Sequence, residues 1–332
     1  MRIHFFSVIL SFVQLAAAQN GFAPANLATP TLGYVYDSRL QAIRQIKGIP
    51  GAALVEAPIE LGFAVRTASI SPEGFALTVS ADDEQVRLVR FSASGTFVSP
   101  LEKALTAPDR IIMSPSGTAA ALWQQSSNRL QAVTGLPGVP NVRDVGVKAS
   151  GGPDLGIAIS DDGTLVLLTS KAADSGPSWL IDADGNTFLL PSPEEGAASF
   201  RRASHDVVWL TRSGDLYVAQ NIGQSPAFNQ IYLSGGRIVE PIAIRLSHDG
   251  ARAYAANAEG EIASIDLGTG SVRVFSCQCH PSGLEPTSSA TMLRLTGISS
   301  LPVLLFDTAE TRQRVWFVPP ARDQEDSRED RR

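Results

Sequence analysis

The chain has 332 residues, of which 44% are hydrophobic and 18% charged, and its 27 Lys and Arg against 33 Asp and Glu give a net charge of −6. That balance, with no basic stripe to neutralise phosphates, excludes a nucleic-acid partner. Two cysteines are too few for a disulfide scaffold, while the apolar content is ample for one large core.

In chain order, residues 1–18 read as a signal peptide. Arg2 supplies a positive n-region, Phe5–Leu15 the apolar stretch and Ala16-Ala17-Ala18 a small-residue cleavage site. The apolar run falls short of the ~20 residues that span a bilayer. The expectation is therefore cleavage near Ala18, an extracytoplasmic (periplasmic or secreted) protein, and no membrane span in the mature chain. Residues 19–31 are Pro- and Ala-rich and are expected to be extended.

From residue 32 to 320 one outline returns. A short apolar strand runs into Ser-x-x-Gly and a second strand leaves it, at Ser71-Pro72-Glu73-Gly74, Ser114-Pro115-Ser116-Gly117, Ser160-Asp161-Asp162-Gly163 and Ser247-His248-Asp249-Gly250. Degenerate copies are placed at Ser204 and at Thr296, so the steps along 71, 114, 160, 204, 247 and 296 are 43, 46, 44, 43 and 49 residues. Ser bonds its side chain to nearby backbone N–H groups, Pro pre-sets φ and Gly accepts positive φ, so each motif is a turn with a mechanism. Phe75, Leu77 and Val79 alternate after the first turn, which reads as a half-buried strand; Leu165–Leu168 form a solid apolar run, which reads as an inner one. Repeats of this length with β-patterning are propeller blades of four strands.

The fold class is therefore all-β, a single β-propeller. Five full blades over about 67–288, an N-terminal part-blade and a blade at Ala290–Pro320 give seven pieces, with six overlapping blades as the alternative. The outline Arg39–Ile43 with Gly48-Ile49-Pro50-Gly51 matches Arg129–Val133 with Gly135-Leu136-Pro137-Gly138, so the first blade begins without its opening strand and the two chain ends are expected to share the closing blade. Residues 321–332 are almost wholly charged and are expected to form a disordered tail.

Candidate sites are few. Cys277, Cys279 and His280 cluster within four positions; a local disulfide between Cys277 and Cys279, two free thiols, or a transition metal on all three are the alternatives. His205 and His248 are read as one repeat position and hence as a turn preference. Asp182-Ala183-Asp184-Gly185 and Asp82-Asp83-Glu84 offer oxygen ligands to calcium, or are simply solvated loops. Trp123, Trp179, Trp209 and Trp316 fall in or beside strands and suit packing between blades. The lipase-type Gly-x-Ser-x-Gly elbow does not occur, and no residue is assigned a catalytic role or a cofactor.

The four Ser-x-x-Gly turns, set at this period, resemble the WD40-like and YVTN-type repeats of bacterial secreted propellers, over about 67–300. The Gly-His and Trp-Asp dipeptides of WD40 repeats and the Tyr-Val-Thr-Asn tetrapeptide are missing, so the resemblance is to a loose superfamily. It implies a binding scaffold, with propeller enzymes such as lactonases and quinoproteins as the minority alternative. The expectation is a monomeric secreted propeller that binds a protein or glycan partner; the alternative is a metal-assisted hydrolase with its site at the central channel.

Overall fold

The computed structural model describes residues 30–147, 155–170, 177–191, 194–224, 226–235, 238–298, 302–309 and 313–321. Residues 1–18, read above as a signal peptide, most of 19–31, expected to be extended, and the charged residues beyond Ala321 lie outside the described residues. Within them every regular element is a β-strand, and no helix is long and apolar enough to cross a membrane.

The strands form seven antiparallel sheets in sequence order, spanning 31–58, 65–100, 110–145, 155–189, 196–232, 241–276 and 285–318. These are blades 1 to 7, each a meander except that blade 1 has three strands and the others four. The protein is a seven-bladed β-propeller, as the spacing favoured.

The ring is closed by side chains packed between successive blades. Separate apolar clusters join blades 2 and 3 (Phe75, Leu88, Leu122), 3 and 4 (Trp123, Leu130, Val166), 4 and 5 (Leu167, Phe200, Trp209), 5 and 6 (Leu210, Ile244, Ile265), 6 and 7 (Tyr254, Ile262, Phe306), and 7 and 1 (Leu305, Val35, Ile46). Between blades 1 and 2, Tyr34 stacks on Phe91 at 3.9 Å and the Tyr36 hydroxyl donates to the Val65 and Arg66 carbonyls. No blade covers its own faces, so burial requires the whole ring. Trp123 and Trp209 are fully buried at two of these interfaces.

This packing corrects the half-buried reading of Phe75–Ser80. All six of its residues are buried, because the large Phe75, Leu77 and Val79 face blade 3 while Ala76, Thr78 and Ser80 are small enough for the opposite face to be covered as well.

Two repeat positions also need correction. In the turns that join first and second strands, the N–H of the first residue bonds to the carbonyl five residues on: Ser114 to Ala119, Ser160 to Leu165, and Ser247 to Arg252. The same bond starts at Arg201, to Asp206, and at Thr287, to Met292. Arg201 and Thr287, not Ser204 and Thr296, are the equivalent residues, and the steps become 43, 46, 41, 46 and 40. His205 and His248 are consequently not equivalent: His248 is the second residue of its turn, while His205 follows the turn begun at Arg201.

Blade 1 begins at Thr31 with the counterpart of a second strand, since Thr31–Asp37 and Ala42–Lys47 match Ala119–Gln124 and Arg129–Thr134 in order and in their connecting turns. The last part of the chain flanks it on both edges. Asp37 bridges Ile298 in parallel, and Val55 bridges Pro320, with the Val55 N–H on the Pro319 carbonyl at 3.0 Å. Blade 7 keeps four strands of its own, so the chain ends meet through these parallel bridges rather than within one antiparallel sheet.

Candidate functional site: the central channel and its mouth

The innermost strands of blades 2 to 7 are Val65–Ser71, Arg110–Met113, Leu155–Ile159, Gly196–Phe200, Pro241–Leu246 and Glu285–Pro286. They line a central cavity of about 350 Å³. Small residues such as Thr67, Ser69, Ala158, Ala197, Ser199 and Ala243 alternate on the wall with apolar ones such as Ile112, Ile157 and Ile244. Four charged residues also line it, Asp109, Arg110, Arg245 and Glu285. Arg245 is engaged on its neighbouring blade, with Nε donating to the Leu284 carbonyl at 2.8 Å and Nη2 paired to Glu285 at 3.3 Å.

One mouth of the channel is built from the Ser-x-x-Gly turns and holds a second cavity of about 180 Å³, lined by Glu73, Pro115, Arg202, His248 and Ser288 among others. These turns are stitched to one another. The two carboxylate oxygens of Asp161 accept from the Ser116 N–H of blade 3 and the Ala203 N–H of blade 5, both at 2.7 Å. Arg202 donates to Glu73 at 3.0 Å and lies 2.9 Å from Nδ1 of His248. A guanidinium carries donors alone, so Nδ1 of His248 is the acceptor and is unprotonated in this contact.

The turn carboxylates at the third position are equally committed. Asp162 Oδ1 accepts from the Ser160 hydroxyl (2.6 Å), the Thr164 N–H (3.0 Å) and the Thr164 hydroxyl (2.9 Å), while Oδ2 meets Nε2 of His205 at 2.9 Å. Burial alone would raise its pKa, but these hydrogen bonds together outweigh it and hold the carboxyl well below the usual range. Asp249 repeats the pattern with the Ser247 hydroxyl and the Ala251 N–H, and the Ser247 bond leads in lowering its pKa.

The Thr164, His205 and Asp162 group has the residue types of a nucleophilic triad without its wiring. A triad needs the carboxylate on one imidazole nitrogen and the hydroxyl on the other. Here both meet Nε2, with Thr164 Oγ1 at 3.3 Å, and the hydroxyl lies against the carboxylate. The arrangement holds a turn in place.

The other sequence candidates lie away from the channel. Cys277 and Cys279 are joined as a disulfide just past the outermost strand of blade 6, next to Gly260, and the His280 ring lies 3.1 Å from the Ala258 carbonyl. Asp182 accepts from the N–H groups of Asp184 and Asn186, and Asp83 pairs with Arg87 at 2.5 Å, so both carboxylates serve their own loops. Among the described residues no group of three or more His, Cys, Asp or Glu side chains comes together to hold a metal ion. Trp179 and Trp316 pack against inter-blade clusters, as Trp123 and Trp209 do within them.

Sequence reasoning passed over Glu73, Arg110, Arg202 and Arg245. A signal was present for two of them. Arg110 and Arg245 are charges set in otherwise apolar inner strands, Arg-Ile-Ile-Met and Pro-Ile-Ala-Ile-Arg-Leu.

No protein-family model matches the chain, and no curated protein matches it. Solved structures do. A functionally unknown protein from Desulfotomaculum acetoxidans is similar at 15% identity and a TM-score of 0.57, covering 88% of this chain and 100% of that one. Apo AztD from Citrobacter koseri is similar at 12% identity and a TM-score of 0.56, covering 87% and 94%. At such identities the likeness concerns the fold alone, and it places this chain among propeller-like proteins, in agreement with the loose superfamily resemblance of its turns.

Proposed function

We propose that the chain is a secreted, non-catalytic β-propeller that binds a ligand or a protein or glycan partner at the channel end of the ring. The observation that supports this reading is the commitment of the turn carboxylates: Asp161, Asp162 and Asp249 direct their oxygens to backbone N–H and hydroxyl donors of the turns. Asp162, with four donors on its two oxygens, has no lone pair left for a metal ion, and Asp161 and Asp249 spend part of theirs within the turns. The same bonds make the mouth a rigid rim, on which loops can present a binding surface.

The test is made on the chain without residues 1–18, by metal analysis, by hydrolysis of lactone, ester and phosphoester substrates, and by screening glycans and candidate partner proteins for saturable binding. The expected result is saturable binding with no stoichiometric metal and no turnover above the buffer rate. Turnover that disappears on chelation, with about one metal per chain, would overturn the reading.

A further inference from the structure

The disulfide between Cys277 and Cys279 joins residues two apart and uses both cysteines of the chain on a single loop. That loop follows Val272–Ser276, the outer strand of blade 6, and lies against the hairpin that joins the second and third strands of the same blade. Backbone and ring contacts hold it there. The Cys277 N–H donates to the Gly260 carbonyl at 2.8 Å. His280 Nδ1 lies 3.1 Å from the Ala258 carbonyl, which can only accept, so Nδ1 carries the proton. Gly260 is buried with φ of +92°, and a Cβ on it would run into the Cys279 carbonyl and come within 3.2 Å of Cys277 Sγ. The hairpin is thus shaped to seat the ring, and both cysteines pack at the edge of the apolar cluster between blades 6 and 7.

The S–S bond spans nothing that these contacts leave loose. A cross-link stabilises a fold chiefly by restricting the unfolded chain, and the effect shrinks with the loop that is closed. Here the loop is three residues, near the shortest possible. Linkage makes the relation reciprocal: a bond that adds little to folding receives little protection from folding. Structural disulfides resist reduction because of that protection, while exposed ones without it exchange readily. Cys279 lies between the exposed side chains of Gln278 and His280, and both cysteines are partly exposed. After reduction the two thiols remain neighbours on a loop that the hairpin still holds, so either can displace a thiol bound to the other.

We propose that Cys277 and Cys279 form a dithiol–disulfide exchange site, which takes two electrons from the paired thiols of a partner protein. A thiolate of the partner attacks one Sγ, forming a mixed disulfide, and the other Sγ departs as a thiolate. The partner's second thiolate then attacks its own sulfur in the mixed disulfide and releases the remaining cysteine. The partner dithiol gives up two electrons and two protons and becomes a disulfide, and Cys277 and Cys279 become two thiols. The site lies past the outer strand of blade 6, away from the channel, and is an activity separate from binding there.

The experiment equilibrates the chain without residues 1–18, under nitrogen, with graded ratios of reduced to oxidised glutathione, beside a peptide of residues 272–282 as the unfolded reference. Thiols are trapped with iodoacetamide and counted by mass spectrometry. A three-residue loop corresponds to a factor of about 15 between folded chain and peptide, so the bond in the folded chain should be harder to reduce by less than about a hundredfold. Near-ultraviolet circular dichroism should survive reduction. Given a reduced Cys-x-x-Cys peptide as the dithiol, the oxidised chain should convert it to the disulfide, one peptide per chain at most, and the Cys277→Ser, Cys279→Ser double variant should convert none. The proposal falls if the folded bond is about a hundredfold or more harder to reduce than the peptide's, if reduction abolishes the near-ultraviolet signal, or if the dithiol peptide is left unoxidised. That failure would leave the reading of the channel as a binding site intact.

Discussion

Arg202 reaches over the channel mouth to Glu73, Nη2 to Oε1 at 3.0 Å, although the two residues stand 129 positions apart in the chain. They belong to blades 5 and 2, so their meeting is a direct product of the closed ring. Both side chains are partly exposed, at 30% and 51%, and water screens the pair. A double-mutant cycle with Glu73→Ala and Arg202→Ala should therefore give a coupling energy of only about 0.2–1 kcal/mol, falling as salt is added. Coupling of several kcal/mol would mean that the mouth is a structural keystone rather than a rim.

Asp37 and Arg44 form the opposite kind of pair. They lie 3.3 Å apart with side chains 0% and 8% exposed, and Asp37 also accepts from the Arg39 and Leu40 N–H groups while Arg44 donates to the Glu56 and Val55 carbonyls. Removing one partner strands the other charge in the sheet next to the ring closure. Asp37→Ala should cost about 3–5 kcal/mol in chemical denaturation. Arg129→Ala, which breaks the exposed pair with Asp144 in blade 3 and leaves the Asp144 bond from Gln131 in place, should cost under about 1 kcal/mol. Equal effects would refute the burial argument.

The propeller was legible in the sequence because one residue type does one physical job in several blades. Ser114 Oγ accepts from the Ala119 N–H, Ser160 Oγ from Leu165 and Ser247 Oγ from Arg252, so a serine is wanted at a fixed place and its spacing can be measured. In blade 5 the job passes to Arg201, which keeps the backbone bond without the hydroxyl, and the repeat was displaced by three residues to Ser204. In blade 7 Thr287 keeps a hydroxyl, but Gly gives way to Ala290, and the displacement was nine residues. The channel was harder to read. Whether Arg110 has a counter-charge depends on blades that meet only when the ring closes, and spacing along the chain carries no record of that.

Asp162 should make stability depend on pH. Its carboxyl is held well below the unfolded value of about 3.9, so between the two values the unfolded state binds more protons and stability rises with pH. The contribution is complete above about pH 5 and disappears as pH falls through the unfolded and then the folded pKa. Its side chain is 50% exposed, so after discounting for solvent screening Asp162→Asn should cost about 1 kcal/mol at pH 7. Denaturation of both proteins at pH 7 and pH 3 should show the gap narrowing; a gap of constant size would place the loss in packing instead of charge.

Gly163 carries two separate demands that substitution can resolve. Its φ of +67° lies in the left-handed region, where a Cβ costs about 1–2 kcal/mol. A Cβ there would also come within 2.3 Å of Cγ2 of Thr134, at the end of the third strand of blade 3, so the turn of blade 4 presses directly on its neighbour. Gly163→Ala should therefore lose about 3 kcal/mol, more than backbone strain alone provides. Thr134→Ser deletes the colliding methyl and leaves the strand otherwise intact. In the Gly163→Ala, Thr134→Ser double variant the loss attributable to position 163 should drop back to the strain value, giving a favourable coupling of about 1 kcal/mol or more by urea denaturation. If the two substitutions add independently, the turn of blade 4 does not bear on blade 3, and the stitched rim drawn from Asp161 and Gly163 is wrong.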